Sequence, residues 1–443
     1  MWKLHGDGRS PRPGEAVKPD ERLSWPRMAG LGAQHVVAMF GATFVFPLVM
    51  GLDPNVAIMM SGVATILFLL LVKNKVPSYL GTSASFVGGV VAIRAAGGDS
   101  ATVTGAILVA GLVLAACGLA IHFLGASIID KVFPPVVTGA VVMLIGFGLA
   151  FVVADVYWPV DPWMALATMA ITAVLVVGLK GFLGRIGILL GLIAGFALSW
   201  VVDLVFGPRT GADGTSADRV DFSAVGDAAW FGLPEFHGPA FSGSAIVLVL
   251  PAVIALIAEN IGHVQAVGEM TRTDLKPYVG RAVAADGIAT ALSTSVGGSP
   301  TTTYAENIGV MAATRVYSTL AYYIAAAIAI AFGFVPKFGA LIAATPSAVL
   351  GGIGVILYGM IGLLGAKIWV EHKVDFAKPL NMVPIGAGIL LAIGPVAQPI
   401  TGDFSLSGIA LGTAVVLLGY HLLRPLAKRV EAADRKRAPA EES

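Results

Sequence analysis

The chain has 443 residues, 56% of them apolar and 12% charged, with a formal net charge of +1 and a mean hydropathy of +0.84. Soluble domains carry about 25% charged residues, so a deficit spread over this length means a polytopic membrane protein, not one anchored by a single helix. The near-neutral balance leaves no nucleic-acid footprint, and the single cysteine, Cys117, excludes an intrachain disulfide or a cysteine metal cluster.

Residues 1–28 are polar, rich in Pro and Gly, and lack the apolar stretch of a signal peptide; they read as a cytosolic arm. Fourteen apolar segments follow, at about 29–50, 54–72, 82–97, 101–124, 134–154, 163–180, 184–206, 244–268, 277–297, 301–313, 316–335, 346–369, 379–397 and 406–424. The third and tenth are too short to span as plain helices. Glycine, at 55 residues, is well above the usual share of about 7%, which in a membrane reads as close helix packing and broken helices. An N-terminus in the cytoplasm places 24 of the 28 Lys and Arg residues on the inner side and leaves Arg94, Arg209, Arg219 and Lys337 outside. That asymmetry follows the positive-inside rule and would be lost if one early segment were missed. Both termini, including the tail 425–443, are then cytoplasmic. The loop 207–243, with Asp213, Asp218, Asp221, Asp227 and Glu235, falls outside.

Fourteen segments divide into seven plus seven, and a repeat of odd length must invert in the membrane. Pro134-Pro135-Val136-Val137-Thr138-Gly139 opens segment five, and Pro346-Ser347-Ala348-Val349-Leu350-Gly351 opens segment twelve, seven segments later. Segment three begins Gly81-Thr82-Ser83-Ala84-Ser85-Phe86, small and hydroxyl-rich like the opening of segment ten. Two interrupted segments in matching positions of two halves point to a site at the repeat interface.

The stretch Gly298-Ser299-Pro300-Thr301-Thr302-Thr303-Tyr304-Ala305-Glu306-Asn307 carries that signal most clearly. Gly, Ser, Pro and a run of β-branched hydroxyl residues favour extended backbone, whereas the residues from Tyr304 onward suit a short helix with Glu306 in its first turn. A half-helix that turns its positive end to a cavity is how transporters build substrate sites, so Glu306 marks the floor of a small-molecule site. Other ionisable residues at membrane depth are few, costly and usually functional. Glu259 and His263 in segment eight are four apart and share a helix face; they suit either a ligand and proton-coupling pair or a structural pair holding segment eight against segment one. Asp286 reads as a polar anchor to a neighbouring helix, and Gln34 and His35 as packing groups behind the site. Phe86, Tyr304 and Phe40 are placed to stack on a ring or to fill the core. Arg94, near the outer boundary, is expected to snorkel.

Two carboxylates, a histidine and two half-helix starts suit a neutral, flat, polar ligand. Ring N–H groups of a nucleobase donate to carboxylates, and its carbonyls accept from backbone N–H groups near Ala84 and Ala305. A carboxylate beside a histidine in low dielectric also has a tunable protonation state. Three other readings compete: a purine or xanthine permease, an anion carrier of the sulfate-permease architecture, and a membrane metalloenzyme with Glu259 and His263 as ligands. Two carboxylates repel an anion, and a catalytic zinc needs three protein ligands where two are evident, so no metal and no cofactor is expected.

At these residues the chain resembles a known family. Glu306-Asn307-Ile308-Gly309-Val310-Met311-Ala312-Ala313-Thr314-Arg315 matches the nucleobase–ascorbate transporter signature of an acidic or amide residue, Asn, any residue, Gly, four residues, Thr and a basic or Gly position. Gln34-His35, Val76-Pro77-Ser78-Tyr79-Leu80-Gly81 and Ala258-Glu259-Asn260-Ile261-Gly262-His263 resemble the family's bacterial uracil permeases, and the chain is most similar to permeases of the pyrimidine-utilisation type.

The resemblance covers most of residues 20–425. It implies an all-α fold of fourteen transmembrane segments in a seven-plus-seven inverted repeat, with short strands and half-helices in segments three and ten. A core domain (29–124 and 244–335) and a gate domain (134–206 and 338–424) follow from it, with the loop 207–243 between them. It implies base contacts from Glu259, Glu306 and the backbone at Ala84 and Ala305, with Phe86 and Tyr304 alongside. It also implies proton coupling through Glu259 and His263, support from Gln34, His35, Asn307 and Ser83, and a homodimer formed through the gate. The activity implied is proton symport of uracil, and of pyrimidines such as thymine, across the cell membrane. Two departures stand out. The family's uracil carriers have Phe at the position of Ala84 and Gly at that of Ala305; backbone contacts survive such changes but pocket shape differs, and the smaller residue at 84 suits a bulkier base such as thymine or xanthine. Asn260 replaces a histidine, off the Glu259–His263 face.

Overall fold

The computed structural model describes residues 2–9, 11, 14–125, 131–210, 216–401 and 404–437. Arg12, Asp213 and the end of the expected tail, 438–443, lie outside the described residues. Helices dominate, because a backbone without water must satisfy its own polar groups. They are α1 (Trp25–Met50), α2 (Pro54–Leu71), α3 (Val87–Ala95), α4 (Ser100–Leu124), α5 (Pro135–Phe147), α6 (Pro162–Gly178), α7 (Gly187–Phe206), α8 (Gly243–Val249) and α9 (Pro251–Thr271). After these come α10 (Val279–Ser295), α11 (Ala305–Thr314), α12 (Thr319–Gly333), α13 (Pro336–Ala343), α14 (Ser347–Glu371), α15 (Pro379–Ile393) and α16 (Gly408–Arg437). Strands form small ribbons: β1 (Lys3–Leu4) parallel with β2 (Glu21–Arg22), and β3 (Leu80–Thr82) antiparallel with β6 (Thr301–Thr303). Two more antiparallel pairs are β4 (Arg209–Thr210) with β5 (Ser216–Ala217), and β7 (Ala397–Thr401) with β8 (Phe404–Ser407).

Among the described residues eight helical stretches are long and apolar enough to cross a membrane, and α12 with α13, bent by 83° ahead of Pro336, makes a ninth. The protein is therefore a multi-pass membrane protein. Shorter apolar helices lie at Ala84–Ala95, α6 and α15. Helix α10 is too polar to qualify by composition, with Asp286, Thr290, Ser293 and Thr294 all fully buried. It packs on α4, α2 and α9, so protein rather than lipid surrounds those groups.

By contacts the chain forms two compact units, residues 1–128 with 151–357, and residues 129–150 with 358–443. In the smaller unit α15 lies along α16, and α5 packs on both; the Trp369 indole donates to the Val136 carbonyl at 3.0 Å. In the larger unit Arg94 reaches the end of a neighbouring helix. Its guanidinium caps the end of α1, donating to the Gly51 carbonyl at 2.9 Å and to Ser100 Oγ at 2.8 Å, where a cation complements the helix dipole.

The α4–α10 contact is close because glycine faces backbone on both sides. A Cβ at Gly118 would collide with the Ala284 backbone, and one at Gly287 with the Ala115 backbone. This is the small-residue packing on which membrane helices rely. Replacing Gly287 with Leu is expected to cost about 1–3 kcal/mol through overpacking. A fall in the unfolding temperature of the purified protein, with Ala tolerated better than Leu, is the measurement that checks it.

Candidate functional site

The site is built on the β3–β6 ribbon, in which Leu80 pairs with Thr303, Gly81 with Thr302 and Thr82 with Thr301. Each strand leads into a half-helix. After β3 a 3-10 turn at Ala84–Phe86 continues into α3, and after β6 the chain enters α11 through Tyr304. Each half-helix begins just after its strand ends, so both N-termini, with their positive ends, start beside the ribbon.

A ribbon of two strands has two unpaired edges, and hydroxyls close them. Thr65 of α2 accepts from the Leu80 N–H at 2.9 Å. Thr290 of α10 accepts from the Thr301 N–H at 3.1 Å and lies 3.0 Å from the Thr301 carbonyl. Ser293 donates to the Ser299 carbonyl at 2.6 Å, Thr82 and Ser299 share a hydroxyl contact of 2.8 Å, and the Ser83 N–H donates to the Pro300 carbonyl at 2.9 Å. At Gly81 the ribbon passes so close to the Tyr304 ring and Thr43 that a Cβ would collide with both.

Glu259 and His263 of α9 and Glu306 of α11 stand beside this ribbon, each half-buried. Ala84 is half-buried and Ala305 exposed, so the starts of both half-helices reach the surface of the site. Tyr304 gives α11 no side-chain cap, which leaves first-turn N–H groups available to an acceptor. Asp286 and Glu306 lie close enough to Glu259 to act on it electrostatically, and the buried Thr302 hydroxyl lies near both Glu259 and Asp286.

Sequence spacing paired His263 with Glu259. Here the polar partner of His263 is instead the Thr303 hydroxyl, 2.7 Å from Nδ1, so the imidazole joins α9 to the ribbon. Asp286 is the polar anchor that the sequence suggests: Asn260 Nδ2 donates to its carboxylate at 2.7 Å and to the Leu256 carbonyl at 3.0 Å. Asn260 is thus a structural residue, a role its place off the Glu259–His263 face concealed. His35 is buried behind α11, where Asn307 Nδ2 donates to its carbonyl at 3.0 Å and to its Nδ1 at 3.1 Å, while Tyr322 lies 4.4 Å from its ring. Gln34 is set apart from the carboxylates. It lines a cavity of about 530 Å³ with Arg27, Thr314 and Arg315. Ser83 is buried and caps the 3-10 turn through the Ser85 N–H at 3.3 Å. Phe86 and Tyr304 are both buried, and the Tyr304 hydroxyl donates to the Thr82 carbonyl at 2.6 Å; in this structure they form the scaffold under the site. Phe40 packs with Phe44, Phe332 and Phe338. No group of three or more metal-ligating side chains occurs among the described residues.

A family model described as a permease family matches residues 27–401. The chain belongs to this family. It is 46% identical over 421 residues to a protein of Escherichia coli (strain K12) provisionally named pyrimidine permease RutG, covering 93% of this chain and 92% of that one. It is 35% identical over 431 residues to the uracil permease of Bacillus subtilis (strain 168), covering 93% and 94%. Among solved structures, the transmembrane domain of the cyanobacterium bicarbonate transporter BicA matches with a TM-score of 0.57 at 14% identity, over 89% of this chain and 96% of that one. That likeness is one of fold. Membership of the permease family makes the protein a transporter rather than an enzyme, and its resemblance to nucleobase–ascorbate transporters now stands on relatives spanning nearly the whole chain.

Within the permease the Asn260–Asp286 bond has a direct test. Asn260→Leu is expected to leave the buried Asp286 carboxyl without that donor and to cost about 1–3 kcal/mol. Pairing it with Asp286→Leu is expected to recover most of that loss, and thermal unfolding of the single and double variants measures both.

Proposed function

We propose that the protein imports uracil, and related pyrimidines such as thymine, together with protons across the cell membrane by alternating access. The observation that carries this reading is the placement of two carboxylates, Glu259 and Glu306, beside the uncapped first turn of α11 on a closed β ribbon. A uracil ring offers N–H donors to the carboxylates and carbonyl acceptors to the backbone amides at Ala84 and Ala305. The names of the relatives, uracil and pyrimidine permeases, support the same substrate class.

On this reading Glu259 exchanges the coupled proton. His263, held on Thr303, links that exchange to the ribbon. Asn307 and His35 keep α11 in register, with Gln34 and Ser83 in support, and Phe86 and Tyr304 shape the floor. The small side chain at Ala84 leaves room for a 5-methyl group, which favours thymine as a second substrate. A xanthine permease with the same scaffold is the competing assignment.

The topology completes the proposal. Fourteen segments in an inverted seven-plus-seven repeat put both termini in the cytoplasm, in accord with the Lys and Arg distribution. The core (29–124 and 244–335) moves against a gate (134–206 and 338–424) that dimerises.

Uptake of labelled uracil into proteoliposomes is expected to rise with an inward proton gradient. Glu259→Gln and Glu306→Gln are each expected to lower it by on the order of 100-fold, or about 2.7 kcal/mol. Wild-type uptake by both variants would remove the site assignment, and competition by xanthine but not uracil would shift the substrate to a purine.

A further inference from the structure

Residues 2–24 are polar, and by composition they read as an arm in water. Of the described residues, Trp2, Val17, Pro19, Glu21 and Leu23 meet the chain just after α11. Val17 forms a parallel bridge with Val316: its N–H donates to the Arg315 carbonyl at 2.9 Å, and its carbonyl accepts from the Tyr317 N–H at 2.8 Å. The Pro19 carbonyl accepts from the Thr319 N–H at 3.1 Å and from its hydroxyl at 3.0 Å, and the Ser318 hydroxyl donates to the Glu21 carbonyl. Val17, Leu23 and Met28 form an apolar cluster with Val316, Leu320 and Ala321.

A second line runs from the arm to the other strand of the ribbon. The Trp2 indole donates to Thr319 Oγ1 at 2.8 Å, and its ring meets Tyr323 edge-on at 5.5 Å. The Tyr323 hydroxyl donates to Asn74 Oδ1 at 2.9 Å. Asn74 has a left-handed backbone, φ +55°, in the turn between α2 and β3. The arm therefore grips the exit of the half-helix that carries Glu306 and, through Tyr323, the approach to the strand that precedes Ala84.

Helix α11 has 10 residues, a rod about 15 Å long. Its N-terminal end carries Glu306 and is open to the site. Its C-terminal end closes at Arg315 in a left-handed conformation, φ +55°, uncommon for a residue with a side chain and held where the surroundings over-determine it. The Val17 bridge is part of what holds it. Holding one end of a short, stiff rod narrows the range over which the other can move.

We propose that the N-terminal arm is a positioning element of the substrate site: Trp2 and Val17 set where Glu306 and the ribbon stand, though neither touches the substrate. This rests on the reading of Glu306 as a substrate carboxylate. Val17→Pro removes the N–H that bridges to Arg315. Trp2→Ala removes the indole bond and the ring contact, while Trp2→Phe keeps the ring. Lys3→Ala, on the exposed side of β1, is the control.

Two readouts are needed: KM and Vmax of nucleobase uptake in proteoliposomes, and amide hydrogen exchange of residues 305–310 in the purified protein. Val17→Pro and Trp2→Ala are expected to raise KM by on the order of tenfold with Vmax within about twofold, and to speed exchange at 305–310. Trp2→Phe is expected to lie between these and wild type, and Lys3→Ala to match wild type. An unchanged KM overturns the proposal, whether or not exchange speeds up, because the arm is then no more than a structural cover. A raised KM with unchanged exchange also overturns it, since the effect would not pass through α11. If wild-type protein moves no nucleobase, the transport reading fails on its own, and wild-type exchange rates in Val17→Pro and Trp2→Ala would then refute the arm's hold on α11.

Discussion

The structure depends on the pairing of two three-residue strands more than 200 residues apart in the chain. Extended backbone is inadmissible in hydrocarbon unless protein satisfies it. Each strand supplies the other's inner edge, and threonine hydroxyls from α2 and α10 supply the outer edges. This explains the polarity of α10, which would be a poor lipid-facing helix. Its hydroxyls are the remaining hydrogen-bonding surface of the ribbon, and its glycines let α4 cover it closely. If the ribbon were lost, the two half-helices would have no reason to begin where they do, and the site would lose both of its positive ends.

Around that ribbon the ionisable groups divide by what holds them. Asp286 is tied to Asn260 and His35 to Asn307, both deep in protein. His263 is tied to the ribbon itself through Thr303. Glu259 and Glu306 are half-buried on the open side. A carboxyl group in a partly desolvated place is costly unless paired, and on the proposed reading a ligand that donates hydrogen bonds relieves that cost when it arrives.

That difference also marks how far the sequence could be read. The break at Gly298–Thr303 and the short helix after Tyr304 were legible because local chemistry dictates them: β-branched and small residues, then an acidic first turn. Glu259 and Glu306 were legible because charge at membrane depth is rare. The partner of His263 was not, since an i,i+4 spacing says which face a side chain shares but not which neighbouring element approaches it. Asn260 was passed over for the same reason: its partner comes from α10, a helix whose burial no local pattern announces. Phe86 and Tyr304 are both buried, and the close crossing at Gly81 sets the Tyr304 ring against the ribbon, a contact that no local pattern announces. The arm's contacts with the chain after α11 were not legible either. Its composition is that of a solvated tail, and its structure comes from backbone bridges and a few apolar residues spaced too far apart to show a period.

The likeness to a bicarbonate transporter is one of fold; what the proposed site would select follows from its own groups. Half-helix N-termini make a natural anion site. Here Glu306 lies in the first turn of α11, so a carboxylate of the protein's own already faces that positive end. Glu259, also beside the ribbon, adds a second carboxyl group. An anion would meet these groups as well as the dipoles. A neutral ring that presents acceptors to the amides and donors to the carboxylates meets only attraction. On the proposed reading, two half-helix starts and two carboxyl groups together suit a neutral ring with both donors and acceptors better than an anion.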